Sequence, residues 1–143
     1  MKKLGTFVAV LSLLSVLLMV GTFGLSARAQ NKQQIVVHLT HYTDNLHAAL
    51  MALRFAGAMQ EKGAQVTLLL DVDGVYLADA WQPPNLRWLS EYYDAFVKAG
   101  GKVLVCPHCA MAARMESLRP GARMAEADDL ANVILTADKI LDY

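Results

Sequence analysis

The only two cysteines of this 143-residue chain stand three residues apart in "VLVCPHCAMAARM", residues 103–115. Cys106 follows an apolar β-forming run, Pro107 comes next, and Cys109 completes a Cys-x-x-Cys. The pairing suits three chemistries: a redox disulfide, two ligands of a metal site, or a nucleophilic sulfur with a helper. A loop this small restricts the unfolded chain little, so a purely structural disulfide explains the pair badly. The four histidines, His38, His41, His47 and His108, are the residues that could assist. His41 lies just past a strand, His47 in the first turn of a helix, and His108 between the cysteines. If the first and third strands are neighbours, Cys106, Cys109, His41 and His108 form a donor set suited to zinc or copper(I). Met111, Met115 and Met124 fit core packing at helical spacing better than copper ligation. His38, inside the strand, reads as a packed or edge histidine.

Other chemistries find less support. Asp71 and Asp73 end a strand, but a phosphoacceptor site needs further carboxylates and a lysine, and Asp73-Gly74 reads as a turn. Ser90 and Ser117 are the only serines beyond residue 29, and neither lies in a nucleophile elbow, which excludes a serine hydrolase. No glycine loop is built to cradle phosphate, and no cofactor is implied.

The elements that must position the sulfurs follow from periodicity. Residues 34–40, 65–70 and 102–106 are short, β-rich apolar runs. The second is nearly continuous, as in a strand covered on both faces. A helix runs from Asp44 as N-cap to a stop at Gly63, with Leu46, Leu50 and Leu53 on one face. Residues 71–85 form a long connection with turns at Asp73-Gly74 and Pro83-Pro84. Residues 86–99 are helical through Leu89, Tyr92, Tyr93, Phe96 and Val97. Trp81, Trp88, Tyr92 and Tyr93 suit either a subunit interface or the core. Pro107 opens a helix to about Met115. A short strand at 122–125, a helix at 128–137 and a strand at 139–142 complete four βα units and a closing fifth strand. The order predicts an open, mostly parallel five-stranded α/β sheet with helices on both faces. In such sheets the functional crevice lies beyond the strands' carboxyl ends. Cys106 would enter it with the N–H groups and dipole of a helix start favouring thiolate.

Residues 1–29 combine Lys2 and Lys3, a long apolar run and a small-x-small site at Ala27-Arg28-Ala29, the pattern of a secretory signal peptide. An uncleaved anchor is the alternative, and would be the only membrane attachment. Residues 30–143 are one domain's worth of chain. Residues 1–29 hold three of the 13 basic residues and none of the 13 acidic ones, so the domain is mildly acidic. No basic face for a phosphate backbone is evident, and nucleic acid is not an expected partner. Both cysteines fall in the exported part, where an adjacent pair tends to oxidise unless something reduces it.

With "DGVYLA" (residues 73–78), "VLVCPHCA" (103–110) and "LTADKILDY" (135–143) in that order, the chain resembles the DsrE-like family of small sulfur carriers. The resemblance spans roughly residues 36–143. It implies a flavodoxin-like fold, homo-oligomers such as trimers or hexamers, and a strand-end cysteine that takes sulfane sulfur as a persulfide and passes it to a partner thiol. That role maps onto Cys106, with Cys109 able to resolve the persulfide. Asp44 stands where the family carries an aspartate, and His47 where it carries an arginine. Export is unusual beside the cytoplasmic members, and a periplasmic location is expected here. "CPHC" is also the tetrapeptide of DsbA-like oxidoreductases, so dithiol redox exchange stays open, as does metal binding without turnover. Thioredoxin-type folds place their Cys-x-x-Cys after an earlier strand, and Pro120 is the only proline beyond this motif.

Overall fold

The computed structural model describes residues 32–143. The expected signal segment lies outside the described residues. Five strands form one sheet: β1 (Gln34–Leu39), β2 (Gln65–Leu70), β3 (Lys102–Val105), β4 (Ala122–Met124) and β5 (Lys139–Asp142). The order is β4-β3-β2-β1-β5, and every pairing is parallel. The expected open α/β sheet is therefore present. Within that class its order differs from the 2-1-3-4-5 of flavodoxin.

The helices follow from the crossovers. β1 to β4 advance in one direction, and right-handed connections then place all their helices on one face. Those helices are α1 (Leu46–Glu61), α2 (Arg87–Lys98) and α3 (Pro107–Ala112). Their apolar sides meet Val37, Leu39, Leu68, Leu70, Val103 and Val105 in the main core, with Tyr93 and Phe96 as its largest side chains. Each such residue contributes about 1.5–3 kcal/mol on burial. The return from β4 to β5 crosses the sheet the other way. It carries α4 (Ala127–Leu135) over the opposite face, where Val36, Leu69, Leu104 and Ala125 meet Leu130, Val133 and Ala137. Among the described residues, no helix is long and apolar enough to cross a membrane.

Several local expectations shift. The N-cap of α1 is Asn45, whose side chain accepts from the Ala48 N–H at 3.1 Å. Asp44 instead accepts from the Tyr42 N–H at 2.8 Å and holds the preceding turn. The connection after β2 is wound into two 3-10 helices, Val72–Ala78 and Pro84–Leu86, where turns were expected. Gly74 is required by close approach: a Cβ there would lie 2.0 Å from the Leu39 carbonyl oxygen. α3 stops at Ala112, short of Met115, because Arg114 turns into left-handed backbone at φ 55°.

A buried arginine fastens this region. Arg119 donates to Asp94 at 2.8 Å and lies over the Tyr93 ring at 3.9 Å from its centroid, a cation–π contact. Burial pushes the Tyr93 hydroxyl up to about 12, with Arg119 opposing and Asp94 reinforcing.

Candidate functional site

The chain leaves β3 toward α3 on one face and leaves β4 toward α4 on the other. Connections that diverge to opposite faces define the switch point of an open sheet, where ligands bind. Cys106 stands there, one residue beyond β3, with its N–H bonded to the Leu70 carbonyl at 2.9 Å. It is the N-cap of α3, and Pro107 is the first helical residue, where a missing N–H removes nothing. Cys109, one turn on, packs against the main core. Both cysteines are half-buried free thiols.

The backbone N–H that reaches a sulfur comes from Val72, across the site at the end of β2, and its partner is Cys109. Val72 has φ 47°, a left-handed conformation that is costly for a β-branched residue, on the order of 1–3 kcal/mol. Burial pushes the Cys109 thiol up, the Val72 N–H opposes it, and neighbouring Cys106 and Asp71 push the same way as burial.

The sequence left His38 as a packing residue and Asp71 in a turn region; the structure joins them. His38 Nε2 lies 2.9 Å from Asp71 Oδ2, and its Nδ1 lies 2.7 Å from Asp142 Oδ1. A carboxylate oxygen only accepts, so the two flanking carboxylates favour a His38 ring that donates from both nitrogens, the imidazolium form. Burial pulls its pKa down, but the two carboxylates outweigh burial and the net shift is upward. The row crosses the carboxyl ends of β5, β1 and β2, ending beside the dithiol. Parallel register assembles it: His38 pairs with Asp142 in β1–β5 and with Leu69 in β1–β2.

The expected helpers stand apart from one another. β2 separates β1 from β3, so the strands bearing His41 and Cys106 are not neighbours. His41 Nδ1 turns to Asp44 at 2.5 Å, which draws the Asp44 carboxyl below its usual range. His47 and His108 are exposed, His108 between the two cysteines on α3 and His47 on α1. Among the described residues, no three His, Cys, Asp or Glu side chains are grouped as metal ligands. The set Cys106, Cys109, His41 and His108 is thus not gathered into a donor shell. Asp73, exposed on the first 3-10 helix, takes no part in the His38 row. Trp81 is exposed and Trp88 and Tyr92 are partly so, while Tyr93 is core.

A solved structure carries the same architecture. The E. coli YchN protein superposes with a TM-score of 0.66 at 22% identity, covering 78% of this chain and 99% of that one. An uncharacterized protein of Methanopyrus kandleri is 29% identical over 98 residues, 66% of this chain and 81% of its own length. The model of the DsrE/DsrF-like family matches residues 23–143, and the chain belongs to that family.

Proposed function

We propose that the protein is a sulfane-sulfur carrier that loads at Cys106 and unloads through Cys109 or a partner thiol. The observation that carries this reading is the pair of reduced, half-buried cysteines at the switch point of a DsrE/DsrF-like sheet. The Cys106 thiolate attacks a sulfane donor. The donor's sulfur–sulfur bond breaks, the new bond forms at Cys106, and the donor leaves as a thiolate. Two routes then discharge the persulfide: attack by a partner's thiolate on the terminal sulfur, or attack by Cys109 on the Cys106 sulfur with release of sulfide. We also propose export directed by residues 1–29 to a periplasmic location, and self-association into trimers or hexamers.

Loading is tested by cyanolysis of protein treated anaerobically with polysulfide. Cys106→Ser is expected to yield no cyanolysable sulfur. Cys109→Ser is expected to load like the native protein and to release sulfide more slowly. Equal loading of Cys106→Ser overturns the assignment, and a dithiol redox protein then becomes the better reading.

A further inference from the structure

Charge is not spread evenly over this sheet. All five lysines of the described residues lie at the amino ends of the strands. Lys32, Lys102 and Lys139 stand at or just before strand starts, and Lys62 and Lys98 at the helix ends that lead into β2 and β3. Carboxylates collect at the opposite, carboxyl ends. Asp71 and Asp142 are there at the ends of β2 and β5, Asp73 in the first turn of the 3-10 helix, and Asp44 and Asp128 at the starts of α1 and α4. Arg119 and Arg123 are taken up by Asp94 and Asp129, and the exposed Arg87 and Arg114 are too few to offset the rest. The dithiol lies at the acidic end, and the surface beside it is apolar. Val72 is 58% exposed and Met111 72%, on the first 3-10 helix and on α3, two elements that pack together. Val72 also holds its exposed side chain in left-handed backbone, at a cost on the order of 1–3 kcal/mol. Apolar side chains left wet around a sulfur and rimmed by charge have the anatomy of a protein interface.

We propose that this face docks a protein whose sulfur-exchanging thiol stands on an apolar surface rimmed by lysine or arginine. The inference rests on the carrier reading and names the chemistry of its partner. The carboxylate rim draws cationic surfaces toward Cys106 and holds anionic ones off. Such steering is worth about 10- to 1000-fold in association rate at low ionic strength and fades as salt rises. Val72 and Met111 then give the docked partner apolar contact. Its thiolate takes the terminal sulfur of the Cys106 persulfide. A new sulfur–sulfur bond forms on the partner, the old one breaks, and Cys106 leaves as thiolate, so no outside oxidant or reductant enters.

The test follows sulfur transfer from anaerobically loaded native protein to two short peptides. Each carries one cysteine between leucines, flanked by lysines in one peptide and by glutamates in the other. Each rate is normalised to the same peptide's rate with 2-hydroxyethyl disulfide. The lysine peptide should be faster by about tenfold or more at low salt, and the ratio should approach one in about 0.5 M salt. Asp73→Lys combined with Asp128→Lys should erase or invert the preference, and Asp73→Asn with Asp128→Asn should fall between. Lys62→Gln, at the far end, should leave it intact. Met111→Ser should slow both peptides and spare 2-mercaptoethanol, and native peptide rates there overturn the apolar contact. A ratio near one in the native protein at low salt overturns the proposal. So does an unchanged ratio in the charge-reversed variant, and if that variant alters its native oligomer mass instead, the face belongs to a second copy. Failure of the native protein to load overturns the carrier reading instead. The face is then judged without sulfur, in Cys109→Ser, by modification of Cys106 with cationic 2-aminoethyl or anionic 2-sulfonatoethyl methanethiosulfonate. Each forms a mixed disulfide and releases methanesulfinate. The cationic reagent should lead by about tenfold beyond its lead with 2-mercaptoethanol, and an equal lead overturns the docking face.

Discussion

At the residue scale, the chemistry divides into a part spaced closely in the chain and a part assembled by register. Cys106 and Cys109 are legible because three residues and a strand–helix junction place them. His38 and Asp142 are 104 residues apart, and only the β1–β5 pairing brings them together. A lone histidine inside an apolar run carries no local sign of two carboxylate partners. Its charge state is the consequence to test. The folded pKa of His38 lies above its ordinary 6.5. Its contribution to stability is therefore fully present below pH 6.5 and is lost as pH rises through the raised value. NMR titration of the ring should give a midpoint above 6.5. His38→Gln should remove the matching fall in unfolding free energy, whereas a midpoint at or below 6.5 contradicts the bridged imidazolium.

At the element scale, strands and long helices were readable because burial on both faces writes apolar runs and core-facing helices write a 3.6-residue period. The cap was not readable between adjacent Asp44 and Asn45, since both residue types cap equally well; the backbone chose Asn45 and left Asp44 to His41 and Tyr42. The 3-10 helix over Val72–Ala78 was hidden for another reason. Its determinant is the contact of Gly74 with the end of β1, a tertiary fact. That helix begins at Val72, whose N–H meets Cys109, so its seating bears on the site. Gly74→Ala should destabilise by about 3 kcal/mol in chemical denaturation, because the blocking atom is backbone. Gly57→Ala in α1, where a Cβ meets nothing within 4 Å, should stabilise by about 0.5–1 kcal/mol. Equal effects at the two glycines would contradict the packing account.

At the scale of the whole molecule, the sequence showed alternating strands and helices but not their order. A sheet in the order β4-β3-β2-β1-β5 puts three helices on one face and one on the other. No residue of the single helix α4 is fully buried, and Leu135 is 81% exposed with Ile134 and Ile140 partly so nearby in sequence. Trp81, at 71%, adds exposed apolar surface in the connection between β2 and α2. Such surface is expensive for a monomer to leave wet and is consistent with proposed self-association. Native mass spectrometry of the full chain should show trimers or hexamers, with the chain mass reporting removal of residues 1–29. A monomer at micromolar concentration contradicts the assembly, and a chain still carrying residues 1–29 contradicts cleavage.

The same strand order places Cys106 at the point where connections diverge, and the central claim is that this sulfur carries another sulfur. The most direct test is the intact mass of the protein after anaerobic incubation with polysulfide, before and after reductant. The loaded protein should carry the added mass of one or more sulfur atoms, lost on reduction and absent from Cys106→Ser. A mass changed only by the two hydrogens of a Cys106–Cys109 disulfide would contradict it.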